Sequence, residues 1–363
     1  MDAATKQVFD SAMAMARAGN PGAAAEALTE VVNREPNWLL ARVNRGSAYF
    51  LAKNYPAALA DYDAALAADP KMVEVYLNRS AVRMATGDMP GADADLAKAV
   101  ELAPNNPAVI NSRGSARMRA GDMAGAVADF TKVLELTPEN LGARLARAAA
   151  RLHLMDFSGA LADCDEVLKV DPKNRDGLIN RATTKLLLRD FAGALADSDA
   201  MLSTDPTSFE GLYLRGVART SLEQFVAALA DLNEVVKKAP KLAAAWAARG
   251  NAKYHLSDPT AAADYREAFN IDSLSATRVL VRLVRDHAKY RPNEVLAECQ
   301  KFRAKDRNDA ISLVRRGLTR LFQNRAADAN LDFTAFKKLA PGDVAILDTL
   351  VSAVNKVLAE QKK

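Results

Sequence analysis

Apolar and small side chains recur along this chain with the spacing of an α-helix, in a pattern that repeats every 34 residues. Prolines mark the period, because each lies 34 residues after the one before. They are Pro36, Pro70, Pro104, Pro138, Pro172, Pro206 and Pro240. A fixed period of this length is typical of a solenoid, in which each repeat packs on its neighbours. The spacing therefore predicts one stacked architecture, although 363 residues alone would suggest two or three domains.

Each repeat is predicted to form two packed helices. With the proline placed at position 32 of the repeat, positions 4, 7, 8 and 11 share one face of a first helix, and positions 20, 24 and 27 share one face of a second. Position 8 is small and position 20 is alanine in every repeat except the ninth. Because small side chains on facing surfaces let two helices approach closely, the pattern predicts a helix–turn–helix unit. Gly-Asp or similar residues occupy the turn.

The register divides the chain into repeats and a terminal helix. Eight regular repeats span 5–275, a degenerate ninth spans 276–309 and a tenth spans 310–343. The eighth is one residue short and has Ser273 where the others have proline. Residues 344–361 are amphipathic and are predicted to cover the open end of the stack, as a capping helix does.

Two stretches, "NRGSAYF…NYPAALADYDAALAADP" and "SRGSARM…GDMAGAVADFTKVLELTP", carry a family resemblance. They resemble tetratricopeptide repeats, and the resemblance extends over residues 5–343, about ten repeats. It implies an all-α, right-handed superhelical solenoid whose first helices line a concave groove. Members of the family usually bind peptides or proteins there. The resemblance says little about the particular function, because the family is defined by packing and not by chemistry.

An arginine occupies position 7 in repeats two to ten, where the family most often has leucine. An acidic residue occupies position 23 in the same repeats, and both charges are missing from the first repeat, which has Ser11 and Ala27. A lone buried guanidinium is costly, so this joint presence predicts an arginine–carboxylate pair within a repeat or between neighbours. The predicted structural ladder comprises Arg45, Asp61, Arg79, Asp95, Arg113, Asp129, Arg147, Asp163, Arg181, Asp197, Arg215, Asp231, Arg249 and Asp264, and continues with Arg282, Glu298, Arg316 and Asp332.

A second basic residue follows four positions later, at position 11, on the same helix face. The residues are Arg83, Arg117, Arg151, Lys185, Arg219 and Lys253. Two interpretations remain open. These cations could share the position 23 aspartate or pair with Asp88, Asp122, Asp156 and Asp190 in the turns. Alternatively, they could form a basic track that binds an acidic segment or a phosphate backbone.

The resemblance places positions 2, 5, 6, 9, 12 and 13 on the concave surface. The candidate peptide-contacting residues there are Asn44, Phe50, Asn78, Met84, Asn111, Asn180, Tyr213, Asn251 and Tyr254. An asparagine amide can both donate to and accept from a peptide backbone, so an extended segment could lie in the groove. The alternative is that these amides only solvate the groove or bond neighbouring helices.

The chaperone-binding carboxylate clamp of this family is not predicted here. That clamp needs lysine, asparagine and arginine at defined groove positions of three consecutive repeats. Asn44 fits the middle repeat, but Phe9, Met13, Glu74 and Asn78 occupy the other places. We therefore expect no binding of an EEVD-type chaperone tail.

The remaining chemistry argues against an enzyme. His153 and His255 lie three repeats apart, too far to share a site in a solenoid. Cys164 and Cys299 fall at position 24, a core position, and no Gly-rich phosphate loop or nucleophile elbow is present. We expect no catalytic residues, no cofactor and no metal site. A chain without a recognisable signal peptide or an apolar run of about 18 residues is expected in the cytoplasm, with no membrane span.

The leading hypothesis is a non-catalytic scaffold or adaptor that binds a protein segment in its groove. RNA binding through the basic residues of repeats three to eight is an alternative, but the net charge is only +4 and aromatic residues make up 6% of the chain. Such a composition does not favour binding or stacking of single strands. A second alternative is structural self-assembly into a homo-oligomer, with the short eighth and degenerate ninth repeats marking a contact. The sequence does not identify the partner or the pathway.

Overall fold

A computed structural model of the chain describes residues 2–306 and 309–360, without the side chains of residues 286–288, 290 and 305. The chain forms two compact units, residues 1–167 and 168–363, and the boundary falls within a helix. In the described part every regular element is helical. The predicted all-α class, with helices packed in consecutive pairs, is confirmed.

The described residues form twenty α-helices, which follow one another along the chain. In order, α1 to α10 are Ala3–Arg17, Pro21–Arg34, Leu39–Leu51, Tyr55–Ala68, Val73–Thr86, Met89–Leu102, Pro107–Arg119, Met123–Leu136, Leu141–His153 and Phe157–Val170. In order, α11 to α20 are Arg175–Leu187, Phe191–Thr204, Phe209–Ser221, Phe225–Lys238, Ala243–His255, Ala261–Tyr290, Pro292–Lys305, Ala310–Phe322, Ala326–Leu339 and Val344–Glu360. A single 3-10 turn, Pro341–Asp343, precedes α20. None of the described helices is long and apolar enough to cross a membrane.

The turn inside each regular repeat has a fixed conformation. Its central residue, position 15, adopts a positive φ in repeats one to eight and ten. This residue is Gly19, Gly87 or Gly121 in three repeats and a residue with a side chain, such as Met155 (φ 61°), in the others. In several repeats the next residue is an aspartate that caps the second helix, as Asp88 does by accepting from the backbone N–H of Gly91 at 3.0 Å. In repeat three, the turn therefore both reverses the direction of the chain and caps the N-terminus of α6.

In residues 1–167, the paired helices meet where a small residue at position 8 faces a large one at position 24. A Cβ built on Gly46 would lie 2.8 Å from Cε1 of Tyr62, and one on Gly114 would lie 2.8 Å from Cε1 of Phe130. Both rings are buried. This close approach explains why position 8 has a small side chain where position 24 has a large one.

In residues 168–363, the same contact joins α13 to α14, α15 to α16 and α18 to α19. The pairs of residues are Gly216 with Leu232, Gly250 with Tyr265 and Gly317 with Phe333. The ninth repeat differs, because α16 and α17 touch each other far less than the helices of any other repeat of this unit. Helix α18 packs on both α16 and α17.

Helix α16 consists of two helical segments joined at Asp272. The backbone there is extended (φ −156°, ψ 99°), and the Asp272 carboxylate accepts from the backbone N–H groups of Leu274 and Ser275. The first segment is the second helix of repeat eight, and the second segment opens repeat nine. Beyond repeat ten, α20 contacts α16 and α18 through buried Leu347, Leu350 and Val354, while residue 361 of the predicted capping helix lies outside the described residues.

Candidate functional site

The position 7 arginines bind the position 23 carboxylates between the two helices of the same repeat. In repeat two, Arg45 donates from Nε to Oδ2 of Asp61 at 2.8 Å and from Nη2 to Oδ1 at 2.7 Å. The same two-point contact recurs in Arg79–Asp95, Arg113–Asp129, Arg147–Asp163, Arg181–Asp197, Arg215–Asp231 and Arg249–Asp264, and Arg316 also binds Asp332 through two nitrogens. Since these aspartates are buried, each carboxylate depends on its arginine for compensation.

Several of these arginines also reach the preceding repeat. Nη1 of Arg79 donates to Asp63 at 2.6 Å, and Nη1 of Arg215 donates to Asp199 at 3.1 Å. Both acceptors lie at position 25, where repeat seven has the neutral Asn233, which accepts from Arg249 at 3.3 Å. The ladder therefore joins helices within a repeat and, where position 25 can accept, joins neighbouring repeats as well.

The position 11 cations share the position 23 aspartates. The shortest separations are 2.7–3.1 Å, for Arg83–Asp95, Arg117–Asp129, Arg151–Asp163, Lys185–Asp197, Arg219–Asp231 and Lys253–Asp264. Some of these cations also donate to a backbone carbonyl in the second helix, as Arg83 does to Gly91 at 3.0 Å. The turn aspartates are farther away, for example Asp88 at 3.6 Å from Arg83. The structure thus places these residues in the interhelical network, where their charge is largely compensated.

In residues 1–167, the predicted groove residues lie on half-buried parts of the first helices. Phe50 packs near Tyr55 with ring centroids 6.1 Å apart, and Met84 is half-buried. Asn44 donates from its amide to the Leu40 carbonyl of its own helix at 2.8 Å. The half-buried amides of Asn78 and Asn111 make no hydrogen bond with the described residues of the protein, so both can donate and accept.

In residues 168–363, two predicted groove residues are not available to a partner. Tyr254 is 3% exposed and its hydroxyl bonds the Ser312 hydroxyl at 2.8 Å, while Asn251 is 4% exposed. The prediction that both line an open groove is wrong, because helices of repeats nine and ten cover this part of α15. Tyr213 and Asn180 are half-buried, and Tyr213 packs against a buried cluster that includes Leu212 and Val235.

A polar cluster that the sequence did not reveal lies on α15, α17 and α18. Nδ1 of His255 is 2.7 Å from Oε1 of Glu298, and Oε2 of Glu298 is 3.9 Å from Nη2 of Arg315. The buried Arg315 guanidinium sits 4.2 Å from the centre of the Tyr254 ring. No hydrogen bond joins Arg282 to Glu298 in the described part of the chain, so the ladder pair expected in repeat nine is absent. The one signal in the sequence was that position 23 changes from Asp to Glu here.

Burial governs the ionisation of this cluster. It lowers the pKa of His255, although the hydrogen bond that the imidazole donates to Glu298 opposes that shift. It raises the pKa of the Cys299 thiol, which lies 3.6 Å from the Tyr254 hydroxyl. Both shifts favour the uncharged forms, a neutral imidazole and a protonated thiol. Among the described residues, no three His, Cys, Asp or Glu side chains converge as a metal site would require.

Comparisons with known proteins agree with this geometry. The tetratricopeptide repeat family model matches residues 9–73, 54–107 and 111–175. No curated protein matches the sequence well enough to suggest a function.

Solved structures share the fold at low sequence identity. A tetratricopeptide repeat protein from Parabacteroides merdae aligns with a TM-score of 0.53 and 18% identity, over 68% of this chain and 98% of its own. PilW, described as a widely conserved type IV pilus biogenesis factor, aligns with a TM-score of 0.52 and 20% identity, over 56% of this chain and 94% of its own. PilF of Pseudomonas aeruginosa aligns with a TM-score of 0.50 and 17% identity, over 56% of this chain and 92% of its own.

The 34-residue period, the consecutive helix pairs and the close contact between positions 8 and 24 are the features by which this family packs. Together with the matches to the family model, they show that the chain belongs to the tetratricopeptide repeat family.

Proposed function

We propose that this protein is a non-catalytic scaffold that binds an extended protein segment on the first helices of residues 1–167. One observation carries the proposal. On these helices the position 7 and position 11 cations are engaged by aspartates, whereas the half-buried amides of Asn78 and Asn111 have no partner within the described protein. Amides placed in consecutive repeats can bond a peptide backbone, and neighbouring Phe50 and Met84 offer apolar contacts for its side chains.

The basic-track alternative receives no support from these contacts. Each position 11 cation lies within 3.1 Å of a buried carboxylate, so it offers less charge to a phosphate backbone than a free lysine or arginine would. A non-catalytic role is also typical of the tetratricopeptide repeat family.

Peptide selection tests the proposal directly. Peptides from a random display library would be selected on the immobilised protein, and their affinities measured for the wild type and for a double variant, Asn78→Ala with Met84→Ala. Losing one amide contact and one apolar contact is expected to weaken binding about tenfold or more. Asp93→Ala, on the exposed face of α6, is the matched control and should leave the affinity unchanged. Selected peptides that bind both groove and control variants equally well would contradict the proposal.

A further inference from the structure

The ninth repeat cannot close into a normal helix pair. Position 8 is Leu283 and position 20 is Val295, whereas the other repeats have small residues at both positions. Two bulky side chains on facing surfaces hold the helices apart. This agrees with the sparse contact between α16 and α17, and it leaves α17 to pack elsewhere.

Helix α17 lies on the part of α15 that corresponds to the groove. Tyr254 and His255 occupy positions 12 and 13 of repeat eight, and Tyr254 is therefore the counterpart of Phe50 and Met84. Glu298 meets His255 at 2.7 Å, and Phe302 meets Tyr254 edge to face with ring centroids 4.9 Å apart.

The contact has the side-chain pattern of a helix bound in a groove. Val295, Glu298, Cys299 and Phe302 lie at i, i+3, i+4 and i+7 of α17, the spacing with which a helical ligand presents one face. The carboxylate, the small thiol and the aromatic ring of that face each have a partner on α15. An ion pair of 2.5 Å between Arg291 and Glu223 of the repeat-seven turn holds the start of the helix.

This attachment is shallow. Among the described side chains of α17, only Val295 and Cys299 are buried, whereas α19, the second helix of the next repeat, buries Ala329, Asp332, Phe333 and Phe336. A cleft of about 410 Å³ remains beside α17, lined by polar groups that include Thr220, Ser221 and Lys301. Few buried contacts and a partly open boundary are the features of an element that detaches before the rest of the fold unfolds.

We propose that the groove face of α15 is a helix-binding surface that α17 occupies as an internal ligand. A partner helix that presents the same acidic, small and aromatic side chains at i, i+1 and i+4 displaces α17 and takes its place. This inference rests on the proposed groove-binding function, but it concerns a different part of the chain and uses no residue of the Asn78 surface.

Thiol modification measures whether α17 detaches. The chain has two cysteines, Cys164 and Cys299, and both are buried. In the folded full-length protein we expect a thiol reagent to modify Cys299 at least about tenfold faster than Cys164, because opening of α17 costs less than opening of repeat five. Variants Cys164→Ala and Cys299→Ala assign the two rates. Equal rates would show that α17 opens only with the whole fold and would overturn the proposal.

Binding in trans measures whether the surface is a ligand site. The probe is a fluorescent synthetic peptide of residues 291–305 with Cys299 replaced by alanine. In the wild type, the tethered α17 competes with the free peptide for the groove face of α15. Its effective concentration there is on the order of millimolar, so the wild type should bind the peptide poorly. The full-length variant Glu298→Ala with Phe302→Ala, in which α17 is held more weakly, should bind it at least about tenfold more tightly.

A peptide carrying the same two substitutions is the matched control and should bind neither protein. Retention of the wild-type circular dichroism spectrum and of slow Cys164 modification would show that the variant remains folded. Equal affinity of the two proteins for the peptide, or binding by neither, would overturn the inference. The substitutions Asn78→Ala and Met84→Ala do not touch this surface, so a failure of the peptide-selection test and a failure of this inference can be told apart.

Discussion

Arg79 and Asp95 form a two-point ion pair between the helices of one repeat, at 3.0 and 2.5 Å, and the third nitrogen of Arg79 binds Asp63 of the repeat before. The hydrogen bonds that Arg79 donates to Asp95 are the main cause that raises the pKa of Arg79 above its ordinary value, so the guanidinium stays charged. The arginine therefore serves as an architectural residue that fixes helix register.

Asp95 and Asp63 should differ greatly in their effect on stability. Asp95 is buried and compensates Arg79 and Arg83, so Asp95→Ala should lower the free energy of unfolding by about 3–5 kcal/mol. The Asp63 side chain is 58% exposed, and Asp63→Ala should cost less than about 1 kcal/mol. Urea unfolding followed by circular dichroism compares the two variants. Similar losses for both would contradict the distinction between the inner and the outer carboxylate.

Position 25 can be used to strengthen the link between repeats. The repeat before Arg113 has Ala97 at position 25, and the Arg113 side chain is 33% exposed, against 16% for Arg79. Ala97→Asp should supply the missing acceptor and stabilise the protein by a few tenths to about 1 kcal/mol. The gain should vanish in an Arg113→Ala background, which a double-mutant cycle by urea unfolding can measure. A gain that persists there would have another origin.

The glycine at position 8 is required by close helix approach. A Cβ on Gly114 would meet Cε1 of Phe130 at 2.8 Å and Cβ of Asp129 at 3.2 Å, so Gly114→Ala should destabilise the protein by about 1–3 kcal/mol despite its better helix propensity. Gly22 in α2 has open space at its Cβ, and Gly22→Ala should be neutral or stabilise by up to about 1 kcal/mol. Thermal unfolding of the two variants tests this contrast, which a loss from Gly22→Ala would contradict.

His255 should make stability depend on pH in the weakly acidic range. Burial lowers its folded pKa below the unfolded value of about 6.5, so the folded state disfavours the proton. The stability that the protein has with His255 neutral is fully present above about pH 6.5, and it is lost as the pH falls through the lower folded pKa. Glu298 and Glu223 oppose the shift and Arg315 supports it, while Phe225 stacks on the imidazole at 4.5 Å.

Urea unfolding at several pH values measures this contribution. The wild type should lose stability between about pH 6.5 and 5 more steeply than His255→Gln, because glutamine does not titrate there. His153→Gln is the matched control and should keep the steeper wild-type dependence. Identical pH profiles for the wild type and the His255→Gln variant would show that His255 has the same pKa in the folded and unfolded states.

The sequence predicted the repeat and its ion pairs because both depend on fixed spacing. Arg45 and Asp61 lie 16 residues apart, a separation that brings positions 7 and 23 together in any helix hairpin with the same turn. Their joint loss in the first repeat was visible without a structure. The sequence left open whether Arg83 is paired, since a basic residue on a helix face can meet either an internal carboxylate or a ligand.

Residues whose environment depends on distant repeats could not be placed in this way. Tyr254 has the position of a groove residue, yet it is buried because Ser312 and Phe302, about 50 residues away along the chain, pack against it.

By itself, the sequence determined the period, the helix pairs, the small and large core positions and the arginine ladder, since each follows from local spacing within one repeat. It also marked the ninth repeat as the exception to the small-residue pattern at positions 8 and 20. Only the tertiary structure decided where α17 goes instead and which groove positions it covers. A ninth repeat without a close helix contact leaves many positions open to α17, and packing against residues far along the chain selects one of them.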